Sequence, residues 1–366
     1  MGDVKKQSID VDISRRSFFK KVSKALKVTA KTTIALGITA RLGVWRTYDE
    51  STLLSELGSG YDGNVLKVMS WNVAGWRRRS LPAEEAIGFQ QREIKETFEQ
   101  ACEFIRSENP TILMTQEDTS GNIGSNFFNS FGLLQRIFGH AYYGKLFNYG
   151  YFGGLMNGGD YGNAIYSRSS LECAQMFSFA DEFSFFEHPF TKLEDLFAGS
   201  KGIVSARFLW KGRPVYLDNF HLSSGNVDSE REQQLDLYLR NIFDQSTTRI
   251  IAGDFNSPAN SKQRHIYDDG EDHTNDRSIE YLMQQLEELG PHRHVFWQDI
   301  FTNSTLYNTF PSTDTETLEP RECNRTYDMI CGFAPNRNLE MISYHVAQDI
   351  HLSDHAPVIA EFVLRL

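Results

Sequence analysis

The chain has 366 residues, 40% hydrophobic and 13% aromatic, which suffices for a large α/β body and shows no repeat period of 20–50 residues. Residues 1–45 carry 10 Lys/Arg against 3 Asp/Glu, so of the net −11 the remaining residues, 46–366, hold −18. Such acidity repels polyanions at long range and excludes a generally basic nucleic-acid binder, leaving that role only to a local basic patch.

In chain order, "SRRSFFKK" (residues 14–21) sets Arg15 and Arg16 before Phe18, Phe19 and Lys20. It resembles the twin-arginine export signal. A weakly apolar run from Thr32 to Ala40 follows, too short to span a bilayer as a helix. Residues 1–45 therefore read as an export signal, with passage through the twin-arginine machinery to the periplasm or the outside. The alternative is a basic amphipathic helix on a membrane or a nucleic acid. Residues 46–64 read as a Ser- and Gly-rich linker, and residues 65–366 as one domain.

Within that domain, Val65 to Trp71 is predicted as a strand. Phe89 to Arg106 is predicted as an amphipathic helix with Ile94, Phe98, Ala101, Cys102 and Ile105 on one face. Thr111 to Thr115 follows Pro110 as a buried strand. The Gly- and aromatic-rich stretch 121–162 reads as loops, and Asn163 to Tyr166 as a strand. Ile203 to Leu209 and Pro214 to Phe220 read as a hairpin through "WKGR". Ser229 and Glu232 form a capping box before a helix with Leu235, Tyr238, Leu239 and Ile242 inward. Arg249 to Ala252 is a short buried strand, and Ser278 to Leu289 a helix stopped by Gly290-Pro291. Hairpins alternate with strand–helix–strand units, which favours mixed sheets packed between helices. Cys102, Cys173, Cys323 and Cys331 form no C-x-x-C pair and read as buried thiols; a Cys323–Cys331 bridge is the alternative in an oxidising compartment.

The predicted strand ends share one kind of decoration. Asn72 follows the first strand, and Gln116 and Glu117 follow the second. Asn163 opens "GNAIYSR", His221 stands in "DNFHLSS", and Asp254 and Asn256 stand in "GDFN". Asp328 lies in "RTYDMIC", and Asp354 and His355 lie in "LSDHAPV" just before the final strand. Each alone is an ordinary turn or loop residue. Seven such sites at strand termini exceed what turns require.

The ordered set WN, QE, GNA-x-x-SR, HL, GDFN, YD-x-I and SDH-x-P spans residues 65–366. It resembles the endonuclease/exonuclease/phosphatase superfamily, the deoxyribonuclease-like fold. The resemblance implies a four-layer α/β sandwich of two mixed β-sheets flanked by helices. It also implies cleavage of a phosphoester with Mg²⁺ or Mn²⁺, hard cations suited to oxygen ligands. Carried over motif by motif, Glu117 is the main metal ligand with Asn72 nearby, and Asp354 is a second ligand or structural. Asp254 orients or deprotonates the attacking water, and Asn256 holds a phosphate oxygen. His355 sits against the phosphate, oriented by Asp328. His221 is a second cationic or donor contact, or protonates the leaving group, and Asn163 positions the scissile phosphate. Pro110-Thr111 stands where the family often has Pro-Asp, and "YDMI" varies a neighbouring motif; neither removes a catalytic group.

Other segments read more simply. "YDDGEDHTND" (267–276) lacks calcium-loop spacing and reads as a solvated acidic loop. Arg77, Arg78 and Arg79 beside Asn72 could grip phosphates on the cleft rim or be solvated. Lys262, Arg264 and His265 form a second small basic group. Phe127, Phe128, Phe131, Phe138 and the tyrosines at 142–151 are either loop packing or an apolar lip. Three readings of function follow: an exported nuclease, a sphingomyelinase-like or other lipid or small-molecule phosphodiesterase or phosphatase, and a non-enzymatic binding module. No obligate protein partner is implied.

Overall fold

The computed structural model describes residues 64–76, 91–120, 128–148, 160–179, 201–224, 228–259, 261–264, 273–290, 292–302, 305–312, 320 and 324–365. The expected export segment, all of the linker but residue 64, Arg77 to Arg79, Phe127, His265, residues 149–151 and Cys323 lie outside them. Among the described residues no helix is long and apolar enough to cross a membrane.

Among the described residues twelve strands form two six-stranded sheets. The first contains β1 (Val65–Asn72), β2 (Ile112–Thr119), β3 (His140–Asn148), β4 (Asp160–Ser167), β11 (Leu339–Val346) and β12 (Val358–Leu364), in the order β11-β12-β1-β2-β4-β3. The second contains β5 (Leu171–Ser178), β6 (Gly202–Trp210), β7 (Arg213–His221), β8 (Thr248–Asp254), β9 (His294–Val295) and β10 (Asp328–Phe333), in the order β5-β6-β7-β8-β10-β9. Each sheet has one parallel pair, β1/β2 and β7/β8, among antiparallel neighbours. Parallel neighbours need a crossover, and helices supply both. These are α1 (Gln91–Glu108) between β1 and β2, and α3 (Asp228–Asn241) between β7 and β8. Two further α-helices among the described residues are α2 (Ser130–Phe138) and α4 (Ser278–Glu288).

Period-2 alternation explains the layering. On β1 and β2, Leu66, Val68, Ile112 and Met114 face the second sheet and join one core cluster with Ile203, Leu217, Ile251 and Ile330. The other face, with Met69, Trp71 and Leu113, packs on Ile94, Phe98 and Ile105 of α1 and Leu134 of α2. Leu235 and Tyr238 of α3 and Ile279, Leu282 and Leu286 of α4 pack on the second sheet's side. The result is the expected four-layer arrangement: helices, mixed sheet, mixed sheet, helices. Each fully buried large aliphatic side chain stabilises it by about 1.5–3 kcal/mol.

Local chemistry sets the boundaries. Asn109 ends α1 in the left-handed region (φ 51°), its N–H reaching the Ile105 carbonyl at 2.9 Å, and Pro110 prevents continuation. The β6–β7 hairpin closes through Lys211 (φ 52°) and Gly212 (φ 75°), the conformation of a two-residue primed turn.

Several expectations change. The stretch 121–162 is not all loop: it contains α2, β3 and the start of β4, so Asn163 is the fourth residue of its strand, not the first. Phe128 and Phe138 are buried, and the half-buried Phe131 packs at a tilt on Tyr143 at 4.9 Å, so these three rings favour the packing reading over the lip. Cys173 is exposed at a bulge in β5 with φ 49°, whereas Cys102 and Cys331 are buried free thiols. Arg264 is buried and paired with Glu280 at 3.1 Å, which removes it from any basic patch. His273 and Asp276 belong to no solvated loop; both are buried in an ion-pair network with Arg231.

Candidate active site

The site lies where the two parallel pairs end. Asn72 closes β1, Gln116 and Glu117 stand near the end of β2, His221 closes β7 and Asp254 closes β8. In the second sheet the register aligns three of these groups in one row: His221 lies opposite Asp254, and Asp254 opposite Asp328. Such carboxyl ends of parallel strands form a natural crevice, because the chain turns away from them to enter helices.

Gly253 makes the end of β8 possible. Its φ is 139°, and a Cβ there would meet the Phe220 carbonyl oxygen at 2.1 Å. Beyond it, the Asn256 N–H donates to Asp254 Oδ1 at 2.9 Å, closing an Asx turn with Asn256 at φ 49°. The Asn256 side-chain amide donates to the Leu222 carbonyl at 2.9 Å and to Asp254 Oδ2 at 3.3 Å. Thus "GDFN" is a turn whose carboxylate is held from both sides.

Asp254 Oδ2 is the focus. Asn72 Nδ2 donates to it at 2.9 Å, and His221 Nε2 and His355 Nε2 lie 3.6 and 3.8 Å away. His355 Nδ1 bonds Asp328 Oδ2 at 2.8 Å, and the Trp71 indole N–H donates to the His355 carbonyl at 2.9 Å. Burial alone would depress the His355 imidazole, but Asp328 and Asp254 overcome it and hold the ring at about 10, as an imidazolium. Burial raises the Asp254 carboxyl to about 7, with His355 opposing the rise and Asp328 adding to it. The ligating atoms of Asp254, Asp328 and His355 converge within 4.8 Å. Within this trio Asp328 and the His355 imidazolium already form an ion pair.

Glu117 occupies a β-bulge. Thr115 pairs with Ala164 and Asp118 with Gly162, so Gln116 and Glu117 together oppose Asn163. Glu117 takes φ 57°, a conformation costing a non-glycine residue about 1–3 kcal/mol, and is the one half-exposed residue of β2. Its Oε1 lies 3.6 Å from His221 Nε2. Gln116 is buried and donates to Asn219 Oδ1 at 2.6 Å. Asn219, from the other sheet, donates to the carbonyls of Thr115 and Ala164, each at 2.9 Å. Those are the carbonyls flanking the bulge, so Asn219 stitches the two sheets together beneath Glu117.

The donor set fits a hard divalent cation. Burial raises the Asp354 carboxyl; His355 opposes this, and the Glu117 carboxylate adds to the rise. Two carboxylates facing one cleft is the situation that an oxygen-ligated cation relieves. Ser353 Oγ donates to the Asn72 carbonyl at 2.8 Å and lies 3.1 Å from Asp354 Oδ1, which ties the Asp354 loop to β1. The Ala74 N–H donates to Asn72 Oδ1 at 3.1 Å, leaving that oxygen a second lone pair.

Of the residues expected from sequence, Asn72, Glu117, His221, Asp254, Asn256, Asp328, Asp354 and His355 thus meet at one cleft. Asn163 is buried just behind it, with its amide donating to the Gly202 carbonyl at 3.2 Å beside His221. Arg77 and Arg78 lie outside the described residues. Lys201 is among the residues that the sequence reading missed. Lys201 Nζ lies 2.5 Å from His221 Nε2. Burial, then Lys201 and His355, hold the His221 imidazole well below its ordinary value. Of the roles expected of His221, the depressed imidazole speaks against the cationic contact, and the positive charge beside it belongs to Lys201. A lone lysine before a strand carries no sequence pattern; only the cross-strand pairing of Gly202 with His221 reveals it.

The comparisons agree with this geometry. The endonuclease/exonuclease/phosphatase family profile matches residues 69–318, more than half of the chain. An endonuclease/exonuclease/phosphatase structure from Beutenbergia cavernae DSM 12333 is 16% identical with a TM-score of 0.52, over 82% of this chain and 72% of that one. One from Bacteroides vulgatus is 15% identical with a TM-score of 0.52, over 82% and 99%. The D. rerio TDP2 structure complexed with single-strand DNA product is 15% identical with a TM-score of 0.50, over 81% and 98%. A search of curated protein sequences finds no match. The strand-end motifs, the paired mixed sheets and the matched profile together make the chain a member of the endonuclease/exonuclease/phosphatase family.

Proposed function

We propose that this protein is a divalent-metal-dependent phosphodiesterase that is exported and acts on nucleic acid. The observation that carries the reading is the single oxygen Asp254 Oδ2, approached by Asn72, His221 and His355 within 3.8 Å. Phosphodiester hydrolysis needs an activated water, neutralised charge at phosphorus and support for the leaving oxygen. Asp254, raised toward neutrality, orients the water and accepts its proton. The His355 imidazolium, held by Asp328, bonds a phosphate oxygen. Lys201 contributes positive charge beside neutral His221, and Asn256 holds the Asp254 carboxylate in place from the Asx turn. A Mg²⁺ or Mn²⁺ ion held by Glu117, with Asn72 and Asp354 at hand, would supply further charge neutralisation at the phosphate.

Nucleic acid is the first substrate to try, because a fold relative, TDP2, holds a single-strand DNA product. The sphingomyelinase-like alternative loses support, since Phe128, Phe131 and Phe138 favour the packing reading over an apolar lip. The "SRRSFFKK" segment supports export; replacing Arg15 and Arg16 by Lys and finding the protein still exported would defeat that part.

The test is nicking of supercoiled plasmid in Mg²⁺ by the full chain, with Asp254→Ala alongside. Nicking that disappears in the mutant and in excess chelator is the expected result. Absence of nicking together with hydrolysis of bis(4-nitrophenyl) phosphate would move the substrate to lipids or small phosphoesters. Phosphoester binding without any hydrolysis would make the chain a binding module.

A further inference from the structure

We propose that Asp118 is the positioning residue of Glu117: its buried carboxylate locks the bulge that aims Glu117 into the cleft. The inference rests on reading Glu117 as the metal ligand. In a regular strand, residues 116 and 118 would share a face. Here they do not. Gln116 reaches Ser70 and Asn219 between the sheets, whereas Asp118 points to the opposite layer. There it accepts from the Trp76 indole N–H at 3.0 Å, Thr115 Oγ1 at 2.8 Å, Ser130 Oγ at 2.5 Å and its neighbour's N–H, Thr119, at 2.8 Å. The Tyr166 hydroxyl donates to it as well.

Thr115 and Asp118, three residues apart, could not bond side chain to side chain on a flat strand, because odd separations alternate faces. Their contact exists only with one residue extruded between two pinned ones. Gln116 is pinned on one side and Asp118 on the other, and Glu117 is the residue pushed out. The donors come from β2, β4, the turn after β1 and the N-terminus of α2, so the clamp draws four parts of the fold to one carboxylate. An acid with five donors and no exposure, adjacent to the proposed ligand, has no other visible task.

The test measures metal binding directly, by titrating Mn²⁺ calorimetrically and by the loss of free-Mn²⁺ paramagnetic signal, on folded protein well below its unfolding temperature. Asp118→Asn is isosteric but turns an acceptor oxygen into a donor facing donors. It should weaken Mn²⁺ by about 10–100-fold, the usual consequence of releasing a ligand's supporting group. Ser130→Ala and Tyr166→Phe, which each remove one donor, should give smaller losses; they decide the matter if the asparagine variant does not fold. A purely structural role would lower the unfolding temperature while leaving Mn²⁺ affinity within about twofold, and that result overturns the proposal. Glu117→Gln is the control. If it loses Mn²⁺ while the Asp118 and donor variants do not, only the positioning role fails. If Glu117→Gln binds as the parent does, the ligand assignment itself fails.

Discussion

His355 and Asp328 set the charge at the cleft. The imidazolium persists because the Asp328 carboxylate, 2.8 Å away, and Asp254 together outweigh the burial that favours the neutral ring. Replacing Asp328 by Asn keeps the shape and removes that charge. We predict that the His355 imidazole, followed by NMR titration, falls from about 10 toward its ordinary value, and that turnover at neutral pH falls by roughly 10²-fold or more. An unshifted titration would show that Asp328 does not hold the charge. The residues found from sequence are those whose motifs put polar groups at the end of an apolar run. Lys201 and Asp118 carried no such mark: one is a single basic residue before a strand, the other the apparent tail of "QED". Both gain meaning only from what the fold brings against them.

Among the elements, β8 shows how a strand end is shaped. Gly253 fits only without a side chain, since the Phe220 carbonyl would meet a Cβ at 2.1 Å. Gly253→Ala should destabilise by more than about 1–3 kcal/mol, read as a lower urea midpoint, because a clash adds to a forbidden φ; a midpoint unchanged from the parent would refute the close approach. The Arg231 network makes a second case. Arg231 donates to Asp276 at 2.9 Å and Asp228 at 2.6 Å, and the Tyr327 hydroxyl meets His273 at 2.8 Å. The three potential ligands Asp228, His273 and Asp276 thus already have a guanidinium as their cation. Burial pushes the Asp276 carboxyl up, but His273, Arg231 and the Ser278 N–H win and hold it well below the ordinary range. A depressed folded-state value gives stability that is complete above the unfolded value near 4 and drains away as pH falls through the folded one. Asp276→Asn should therefore cost about 3–5 kcal/mol at neutral pH, and the deficit should shrink on acidification; a pH-independent deficit in denaturant unfolding would contradict this. From sequence the segment looked solvated because acidic runs usually are, and it is the partner on α3 that accounts for the burial of His273 and Asp276. The helix α2 and strand β3 were hidden for a related reason: their glycines and aromatics gave no clean period, and packing against β4 decided their form.

For the whole molecule, the cleft is shared between the sheets. Asn72 and Glu117 come from the first, His221, Asp254 and Asp328 from the second, and His355 and Asp354 from the loop before β12. A cation bound across them favours the folded state by mass action. Saturating Mg²⁺ or Mn²⁺ at about 100 times its dissociation constant should stabilise the protein by about 2.7 kcal/mol, seen as a rise in unfolding temperature that Glu117→Gln abolishes. The general architecture was legible because alternation and strand–helix–strand order are properties of long segments. The coupling through Asn219 was not, since a buried asparagine in an apolar strand reads as an edge residue until the opposite sheet is present.

The pairing of β12 with β1 also orders events in time. β1 is among the first strands made, and it waits for β12 before the loop bearing His355 can settle. A nascent chain that has already assembled Glu117 and Asp254 still lacks the imidazolium. On the roles proposed above, a chain truncated before β12 should therefore leave intact the phosphodiester that the full chain cleaves.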